Sequence, residues 1–332
     1  MPCFLISLHN CIYYIIRRCF LDNIAVLSLN PALDVSYKIQ KLVDDEKVHS
    51  FETRFDPGGN GINVARALKK LKIKASTCCV LAGEIGKLIS NILTEELDDP
   101  HFIWENGETR INCVIQQSDP VSQYEINGMG PVMDFSVLDR LEEDLYIYSR
   151  DGLAVLTGSS PLNITYNIYY ILCTRLKNAG IKCLVDADGA LLSNAIKSKP
   201  FIIKPNIHEL ERLVKRKLTS NFEIASVALD LHNFGIEYVF VSLGYKGAIV
   251  ASNEGVFYAA APAVSVVSRV GAGDSMVGAI LSVIVKGGSS AEALKLGIAC
   301  GSATVQMPGT ELFTMELADK LLGTINIEKI DI

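Results

Sequence analysis

Short apolar runs alternate with helical runs along most of this chain, and this alternation limits its fold more than any other feature. Residues 61–71 are spaced as an amphipathic helix, and residues 85–97 form a second helical run. The apolar runs of strand length are residues 24–29, 78–82, 153–157, 183–186, 202–203 and 238–242. Strands separated by helices form a parallel sheet covered on both faces. We therefore predict an α/β fold with a mostly parallel central sheet.

Two segments interrupt this alternation. Residues 35–55 and 109–126 carry alternating polar and apolar side chains with no helix between strands. This pattern is typical of half-exposed strands. We predict that the two segments pair into one small sheet, a lid inserted into the main domain. Residues 238–260 predict an antiparallel zone, because turn signals at 244–247 and 252–255 separate three β-rich runs.

Composition restricts the class of protein. The 332 residues are enough for one large α/β domain or two smaller ones. The formal net charge of −6 argues against a general nucleic-acid-binding protein. The nine cysteines are odd in number and form no C-x-x-C pair. This favours reduced thiols in a cytoplasmic protein over a disulfide framework or a zinc site.

The first 22 residues are apolar but do not form a clean hydrophobic segment. His9-Asn10 interrupts the apolar run, and the positive charge of Arg17-Arg18 follows it. A spanning helix needs about 20 consecutive apolar residues, and a secretory signal has its positive charge first. We therefore expect no membrane anchor. Residues 1–22 are predicted to be an extension outside the fold, and residues 23–332 to form the domain.

The segment Arg269-Val270-Gly271-Ala272-Gly273-Asp274-Ser275 is the strongest chemical signal. Small residues at 271–273 leave backbone N–H groups unshielded where an apolar helical run begins. Such a helix start binds anions, because its N–H donors lack partners and the helix dipole is positive there. Asp274 would lie beside the bound anion and accept a proton from a hydroxyl. This arrangement predicts phosphoryl transfer to an alcohol.

A second glycine cluster, Pro57-Gly58-Gly59-Asn60-Gly61-Ile62-Asn63, precedes the first helical run. Glycines allow a backbone to approach a ligand closely, although the same residues also fit an ordinary tight turn. The segment does not match the dinucleotide pattern G-x-G-x-x-G, and no G-x-x-x-x-G-K-[ST] motif occurs in the chain. A dinucleotide fingerprint and a P-loop are therefore excluded.

Lys204-Pro205-Asn206-Ile207-His208-Glu209 places Asn206 and Glu209 on one face of a helical turn. Their oxygens suit magnesium, which is bound by few protein groups together with phosphate. The same spacing fits a helix capping box. A later segment, Ser242-Leu243-Gly244 with Lys246-Gly247, could line a nucleotide or form a simple hairpin.

The order of these motifs adds information that none of them carries alone. NPALD at residues 30–34, PGGNGINVARAL, GETR at 107–110, KPNIHE, VSLGYKGA and VGAGDSMVGA follow one another over almost the whole chain. The chain closely resembles the PfkB-type, ribokinase-like carbohydrate kinases, and within them the minor-type 6-phosphofructokinases, 1-phosphofructokinases and tagatose-6-phosphate kinases. The resemblance implies a ribokinase-like three-layer α/β/α domain with a small β-sheet lid, and the use of ATP and Mg²⁺.

The resemblance also implies roles for individual residues. Asp274 matches the catalytic base, and Gly271, Ala272 and Gly273 match the anion hole. The residues that match the sugar side are Asp34, Gly58, Gly59, Asn63 and Ser159, with Arg110 and Lys47 for the phosphate that the sugar already carries. Those that match the nucleotide side are Lys204, Asn206, Ser242, Gly244 and Gly247, with Asn206 and Glu209 for the metal. Members of the family commonly pair through their lids, so we expect a homodimer.

Three positions depart from the family pattern. No glycine follows Pro161 in the segment 157–163, which weakens the assignment of Ser159. His49 stands where close relatives often carry arginine, and a histidine would make phosphate binding depend on pH. His208 replaces a basic residue, and an exposed helical position explains it better than a ligand role.

From these residues we expect a kinase that adds a second phosphate to a phosphorylated ketohexose, with fructose 6-phosphate favoured. The segment PGGNGINVAR supports that substrate, whereas GETRIN resembles 1-phosphofructokinases and tagatose-6-phosphate kinases. A non-catalytic sugar-phosphate sensor with the same fold is the alternative from another class.

Overall fold

The structure is a computed structural model that describes Leu21 and residues 23–332. The predicted extension, residues 1–22, lies outside the described residues except for Leu21. The backbone N–H of Leu21 donates to the carbonyl of Val285 at 3.3 Å. Among the residues described, no helix is both long and apolar enough to cross a bilayer.

A central sheet organises the domain, and ten strands of it lie in the described chain. Their order is β14-β13-β12-β11-β10-β9-β8-β1-β4-β5. Pairing is parallel from β5 to β11 and antiparallel from β11 to β14. The strands are β1 Ile24–Ser28, β4 Ser76–Ala82, β5 Asp99–Glu105, β8 Leu153–Thr157, β9 Lys182–Asp186, β10 Ile202–Ile203, β11 Tyr238–Ser242, β12 Ala248–Ser252, β13 Gly255–Ala259 and β14 Ile327–Ile330.

Helices cover both faces of this sheet. In β1, Ala25 and Leu27 belong to one core cluster while Ile24 and Val26 belong to another. Successive strand residues point to opposite faces, so these clusters are the two sides of the sheet. The helices are α1 Asn60–Lys70, α2 Gly83–Glu96, α3 Phe135–Tyr148, α4 Ile168–Asn178, α5 Gly189–Ala195, α6 Ile207–Val214, α7 Asn221–Asn233, α8 Ala272–Ile284, α9 Ser290–Thr304 and α10 Met315–Leu322.

The layers are built from different parts of the chain. Buried residues of α3, α4, α5 and α7 pack on one face of the sheet, and those of α1, α8, α9 and α10 pack on the other. The predicted three-layer α/β/α arrangement with a mostly parallel sheet is confirmed.

A second sheet, which we call the lid sheet, has the order β3-β2-β6-β7. Its outer pairs are antiparallel, and the central pair β2–β6 is parallel. The strands are β2 Ala32–Ile39, β3 Glu52–Gly58, β6 Arg110–Ser118 and β7 Val121–Ile126. Two distant segments of the chain therefore meet in one small sheet, as the alternating pattern predicted.

The expected antiparallel zone forms from β11, β12 and β13. Two strands of the central sheet were not expected from the sequence, namely β5 and β14. Both lie at the edges of the sheet, where most of their side chains are partly or fully exposed. Edge strands lack the continuous apolar run of a buried parallel strand, which is the signal that we used elsewhere.

Candidate active site

The candidate site lies where several parallel strands end. Asp186 ends β9, Lys204 directly follows β10, and Ser242 ends β11. Asn206 and Ser242 form an isolated parallel bridge, which joins two of these ends. Open α/β sheets bind ligands in the crevice outside the carboxyl ends of their strands. The topology therefore brings together side chains that are far apart in sequence.

The start of α8 provides free backbone donors. Gly271 is the N-cap of α8 and has a φ of 76°, a left-handed conformation that favours glycine. In the described chain, the N–H groups of Gly271, Ala272 and Gly273 have no protein acceptor in hydrogen-bonding geometry. Unpaired donors at a helix start attract an anion. This local structure is what the segment 269–275 predicts.

Asp274 is buried in the first turn of α8, and two asparagines of α1 hold its carboxylate. Asn60 Nδ2 donates to Oδ1 at 3.0 Å, and Asn63 Nδ2 donates to Oδ2 at 2.9 Å. Burial raises the pKa of Asp274 to about 6, and the nearby Asp186 adds to this, while both asparagines oppose it. A carboxylate with a pKa in this range is suited to accept a proton near neutrality.

Lys204 supplies a fixed positive charge. Its Nζ lies 3.1 Å from Oδ1 of Asp186, and its side chain is only 5% exposed. Nζ also lies 3.7 Å from the point where a β-carbon on Gly273 would stand. Burial lowers the pKa of Lys204, but the carboxylates of Asp186 and Glu209 outweigh burial and raise it. The lysine is therefore protonated beside the free donors of α8.

Asp34 is buried on β2 and faces the glycine cluster. A β-carbon on Gly58 would lie 2.0 Å from Oδ2 of Asp34, so only glycine fits at position 58. Asn112 Nδ2 donates to the other oxygen, Oδ1, at 2.7 Å. Burial raises the pKa of Asp34, and the hydrogen bond from Asn112 and the charge of Arg110 oppose it.

Gly59 and Asn63 complete this wall. A β-carbon on Gly59 would lie 3.2 Å from the α-carbon of Pro31, and the φ of Gly59 is 112°. Gly58 and Gly59 therefore lie against the segment around Asp34, while Asn63 reaches Asp274. One short segment joins the predicted sugar-side residues to the predicted base.

Arg110 is partly buried at the start of β6. Its Nε and Nη2 donate to the carbonyl of Asn30 at 3.1 and 2.9 Å. Burial lowers the pKa of Arg110, and the carboxylate of Asp34 opposes this shift. Within residues 23–332, its Nη1 has no protein acceptor. The carbonyl contacts hold the guanidinium in place and leave this one nitrogen for a ligand.

Asn206 and Glu209 form a capping box at the start of α6. Glu209 N donates to Asn206 Oδ1 at 3.0 Å, and Asn206 N donates to Glu209 Oε2 at 2.8 Å. Asn206 Nδ2 also donates to Glu209 Oε1 at 2.6 Å. The capping alternative is therefore present, and it positions both side chains at the strand ends.

The residues present also fit a magnesium ion held together with phosphate. Each oxygen of Glu209 accepts one hydrogen bond, whereas a carboxylate oxygen has two lone pairs. In the described residues, no group of three His, Cys, Asp or Glu side chains has the arrangement of a metal site. Such a set suits an ion that takes most of its ligands from phosphate and water.

The segment 242–247 forms a 3₁₀ turn between β11 and β12. Ser242 N donates to the carbonyl of Pro205 at 3.0 Å, so this segment lies beside the 204–209 motif. A β-carbon on Gly247 would lie 1.9 Å from the carbonyl oxygen of Ala259, which requires glycine there. Gly244 has a φ of 61°, and a β-carbon there would have no other atom within 4 Å. Of the two glycines, Gly244 is the one that leaves room for a ligand at this turn.

Four of the residues singled out in the sequence are exposed. Lys47 and His49 are exposed in the loop between β2 and β3, and no hydrogen bond or ion pair of the described residues involves them. Ser159 is exposed and accepts a hydrogen bond from Asn30 Nδ2 at 3.2 Å. His208 is 74% exposed on α6, with Glu211 3.8 Å away.

Four polar residues of the site were missed in the sequence. They are Asn60, which contacts Asp274, Asp186, which pairs with Lys204, Asn112, which contacts Asp34, and Asn30, which contacts Ser159 and Arg110. Asn60 lies inside the PGGNGIN segment and Asn112 two residues after Arg110. The position of Asn60 and Asn112 inside or beside these motifs was the signal that could have identified them as site residues.

Known proteins resemble this chain over nearly its whole length. The model of the family described as "pfkB family carbohydrate kinase" matches residues 24–316. The chain belongs to this family. It is therefore a phosphotransferase that uses an alcohol as acceptor, with ATP as a substrate.

Relatives cover nearly the whole domain. A 1-phosphofructokinase of Bacillus subtilis is 32% identical over 308 residues, which are 92% of this chain and 100% of that protein. The ATP-dependent 6-phosphofructokinase isozyme 2 of Escherichia coli is 31% identical over 306 residues, 92% of this chain and 99% of that protein.

Solved structures show the same architecture. The crystal structure of phosphofructokinase-2 from Escherichia coli in complex with substrates and products has a TM-score of 0.87 at 30% identity, covering 91% of this chain and 99% of that one. A ribokinase of Arabidopsis thaliana complexed with ribose and ATP, at 24% identity, has a TM-score of 0.71 and covers 91% and 98% of the two chains. The ribokinase-like fold is confirmed.

Proposed function

We propose that this pfkB-family kinase transfers the γ-phosphoryl group of ATP to the free primary hydroxyl of fructose 6-phosphate, which yields fructose 1,6-bisphosphate. The observation that carries the proposal is the buried Asp274 carboxylate, which Asn60 and Asn63 hold beside the unpaired N–H groups that start α8. A base and an anion hole next to each other at one helix start are what phosphoryl transfer to an alcohol requires.

In the proposed reaction, Asp274 accepts the proton of the sugar hydroxyl. The sugar oxygen forms a bond to the γ-phosphorus, and the bond from that phosphorus to the oxygen bridging it to the β-phosphate breaks. The N–H groups of Gly271, Ala272 and Gly273 donate to the transferred group, and the charge of Lys204 stabilises it. ADP leaves with the electron pair of the broken bond.

On the nucleotide side, Lys204 and Asn206 would face the triphosphate, and Ser242, Gly244 and Gly247 would line the nucleotide. Asn206 and Glu209 would hold Mg²⁺, which supplies charge neutralisation between the phosphate oxygens. The capping box keeps both side chains at the strand ends, because each holds the other in place.

On the sugar side, Arg110 would bind the phosphate that the sugar already carries. Arginine suits this contact because its planar donors match phosphate oxygens. Asp34, Gly59 and Asn63 would hold the sugar hydroxyls, with Gly58 keeping space for Asp34. Ser159 and Lys47 would assist from the rim, Lys47 from the loop between β2 and β3.

Release of ADP from ATP tests this proposal with fructose 6-phosphate, fructose 1-phosphate, tagatose 6-phosphate and fructose as acceptors. The expected order of kcat/KM puts fructose 6-phosphate first and fructose last. Fructose 1-phosphate is the second candidate, because three of the similar proteins are named 1-phosphofructokinases. Tight binding of one sugar phosphate without any ADP release would replace the kinase with a sensor.

The lid sheet supports a homodimer as the working assembly. Exposed apolar side chains gather on it and beside it: Phe51, Phe55, Ile111, Val121, Tyr124 and Ile126 are between 43% and 90% exposed. Exposed apolar patches of this kind mark protein contacts. Two lids packed on each other would cover these side chains and shield the sugar from water.

The cysteines support a cytoplasmic location. The described cysteines are free thiols, and five of the six are buried. Buried reduced thiols fit a reducing compartment.

A further inference from the structure

Asn60 contacts the predicted base and has no proposed contact with the sugar or the nucleotide. Its Nδ2 donates to Oδ1 of Asp274 at 3.0 Å, while Asn63 takes the other oxygen. The residue is solvent-exposed, so a ligand in the crevice has access to it. Asn60 is therefore the amide on the open side of the carboxylate, and Asn63 is the buried one.

The start of α1 and the turn after β8 flank the side chain of Asn60. Asn60 is the first residue of α1, and Asn63 N donates to the carbonyl of Gly59 at 3.1 Å in the same turn. On its other side, a β-carbon on Gly158 would lie 3.3 Å from Oδ1 of Asn60. Gly158 has a φ of 87°. The amide therefore lies between Asp274 and the turn after β8.

We propose that Asn60 is a positioning residue for the catalytic base: it fixes the orientation of the Asp274 carboxylate and favours its ionised form. This inference rests on the proposed kinase function. With one amide on each oxygen, the carboxylate cannot rotate without breaking both hydrogen bonds. Each oxygen then keeps a lone pair that can accept the proton of a substrate hydroxyl.

Two charged groups near Asp274 have opposite effects on its ionisation, so the hydrogen bond from Asn60 becomes important. Asp186, at the end of β9, repels the carboxylate, and Lys204, after β10, attracts it. These two charged groups already form a pair with each other at 3.1 Å. The hydrogen bonds from Asn60 and Asn63 therefore provide the main specific stabilisation of the ionised base against burial. Loss of either amide favours the protonated carboxyl, which cannot act as a base.

The test compares Asn60→Leu, which removes the donor at similar size, with Asn60→Asp, which replaces the donor by a second carboxylate. We expect the acid limb of the kcat–pH profile to move up by about one pH unit in Asn60→Leu. The shift should be larger in Asn60→Asp, because two carboxyls would share one proton. KM for ATP should stay within about twofold of wild type, since the nucleotide contacts are elsewhere.

A purely structural role predicts a different result. Then kcat would fall by one factor at all pH values, together with the melting temperature, and the acid limb would not move; that result overturns the proposal. Should Asn60→Leu prove too unstable to purify, Asn60→Ala, which also removes the donor and adds no charge, decides in its place. Asn91→Leu, at an exposed position of α2, is the control and should leave the profile unchanged.

A measurement without turnover separates this inference from the proposed function. The difference in free energy of unfolding between wild type and Asp274→Asn should fall with rising pH up to the pKa of Asp274 and then level off. In Asn60→Leu the levelling should occur at higher pH, and in an Asp274→Asn background the substitution should have no such effect. An unchanged levelling pH refutes the role of Asn60. Absence of ADP release by wild type refutes only the kinase proposal.

Discussion

Gly58 leaves room for the Asp34 carboxylate: a β-carbon at position 58 would lie 2.0 Å from Oδ2 and 2.4 Å from Cγ of Asp34. The absence of a side chain at position 58 thus gives Asp34, a predicted sugar-side residue, its space. We expect Gly58→Ala to displace Asp34 and to raise KM for the sugar phosphate about 10-fold or more, since overpacking costs about 1–3 kcal/mol. KM for ATP should change little. Steady-state kinetics with each substrate varied in turn measure both values.

The matched control is Gly323→Ala, where the nearest atom to a new β-carbon is the carbonyl oxygen of Lys320 at 3.7 Å. That variant should behave as wild type. Normal sugar-phosphate kinetics in Gly58→Ala would remove Asp34 from the sugar side.

Asp274→Asn should lower kcat by at least about 100-fold, because general base catalysis contributes about 10²- to 10⁴-fold. The variant should still bind ATP and the sugar phosphate with nearly wild-type affinity, as isothermal titration calorimetry would show. Comparable turnover by the variant would contradict the assignment of the base.

The pKa of Asp274 also predicts how stability depends on pH. Its folded-state pKa of about 6 exceeds the ordinary 3.8, so the native protein retains the proton that the unfolded chain releases. Protonated Asp274 therefore contributes its full stabilisation below a pH of about 4 and loses it as the pH rises to about 6. The change in the free energy of unfolding is on the order of 3 kcal/mol. Urea unfolding of wild type and Asp274→Asn at several pH values isolates this group. The stability of wild type relative to Asp274→Asn should fall over this range, and an unchanged difference would contradict the raised pKa.

Arg110→Ala should raise KM for the sugar phosphate by about 10- to 100-fold, because a hydrogen bond to a charged group contributes about 1.5–3 kcal/mol. The effect on KM for ATP should be much smaller. Arg110→Lys keeps the charge but not the planar donors, so an intermediate KM is expected. Equal effects on both substrates would place Arg110 outside the sugar site.

Lys204→Met should destabilise the protein by about 3–5 kcal/mol, because it leaves the carboxylate of Asp186 buried without its partner. The two side chains are 5% and 11% exposed. The double variant Lys204→Met, Asp186→Asn should recover most of this loss in urea unfolding. Both variants should be inactive. A double variant no more stable than the single one would show that the ion pair is not the cause.

Phe55→Lys should shift the protein from dimer to monomer in light scattering, since a charge on the lid sheet opposes the proposed contact. Phe222→Lys on α7 is the matched control, because Phe55 and Phe222 are both 57% exposed. The control should keep the wild-type mass. Identical masses for the two variants would exclude Phe55 from the interface.

Local patterns were enough to predict much of this molecule. The buried strands β8, β10 and β11 were predicted with their observed bounds, because continuous apolar runs identify buried parallel strands. Asp274 was predicted as the base because small residues, an acid and a helix start lie next to one another in the chain. Edge strands β5 and β14 lacked such a run.

Contacts between distant residues could not be predicted. Asn60 and Asp274 are 214 positions apart, and Asn112 and Asp34 are 78 apart. Asp186 ends an ordinary buried strand, and nothing in its neighbours predicts that Lys204 pairs with it. Topology alone creates these pairs, because parallel strands end at the same edge of a sheet.

A base that gains its proton near pH 6 links the enzyme to the acidity of its surroundings. Transfer of a phosphoryl group from ATP to an alcohol releases a proton at neutral pH. In a weakly buffered medium, rapid turnover would acidify the solution and protonate the carboxylate on which turnover depends. With Asp274 as the proposed base, the depth at which it is buried would therefore let the proton released in one cycle slow the next.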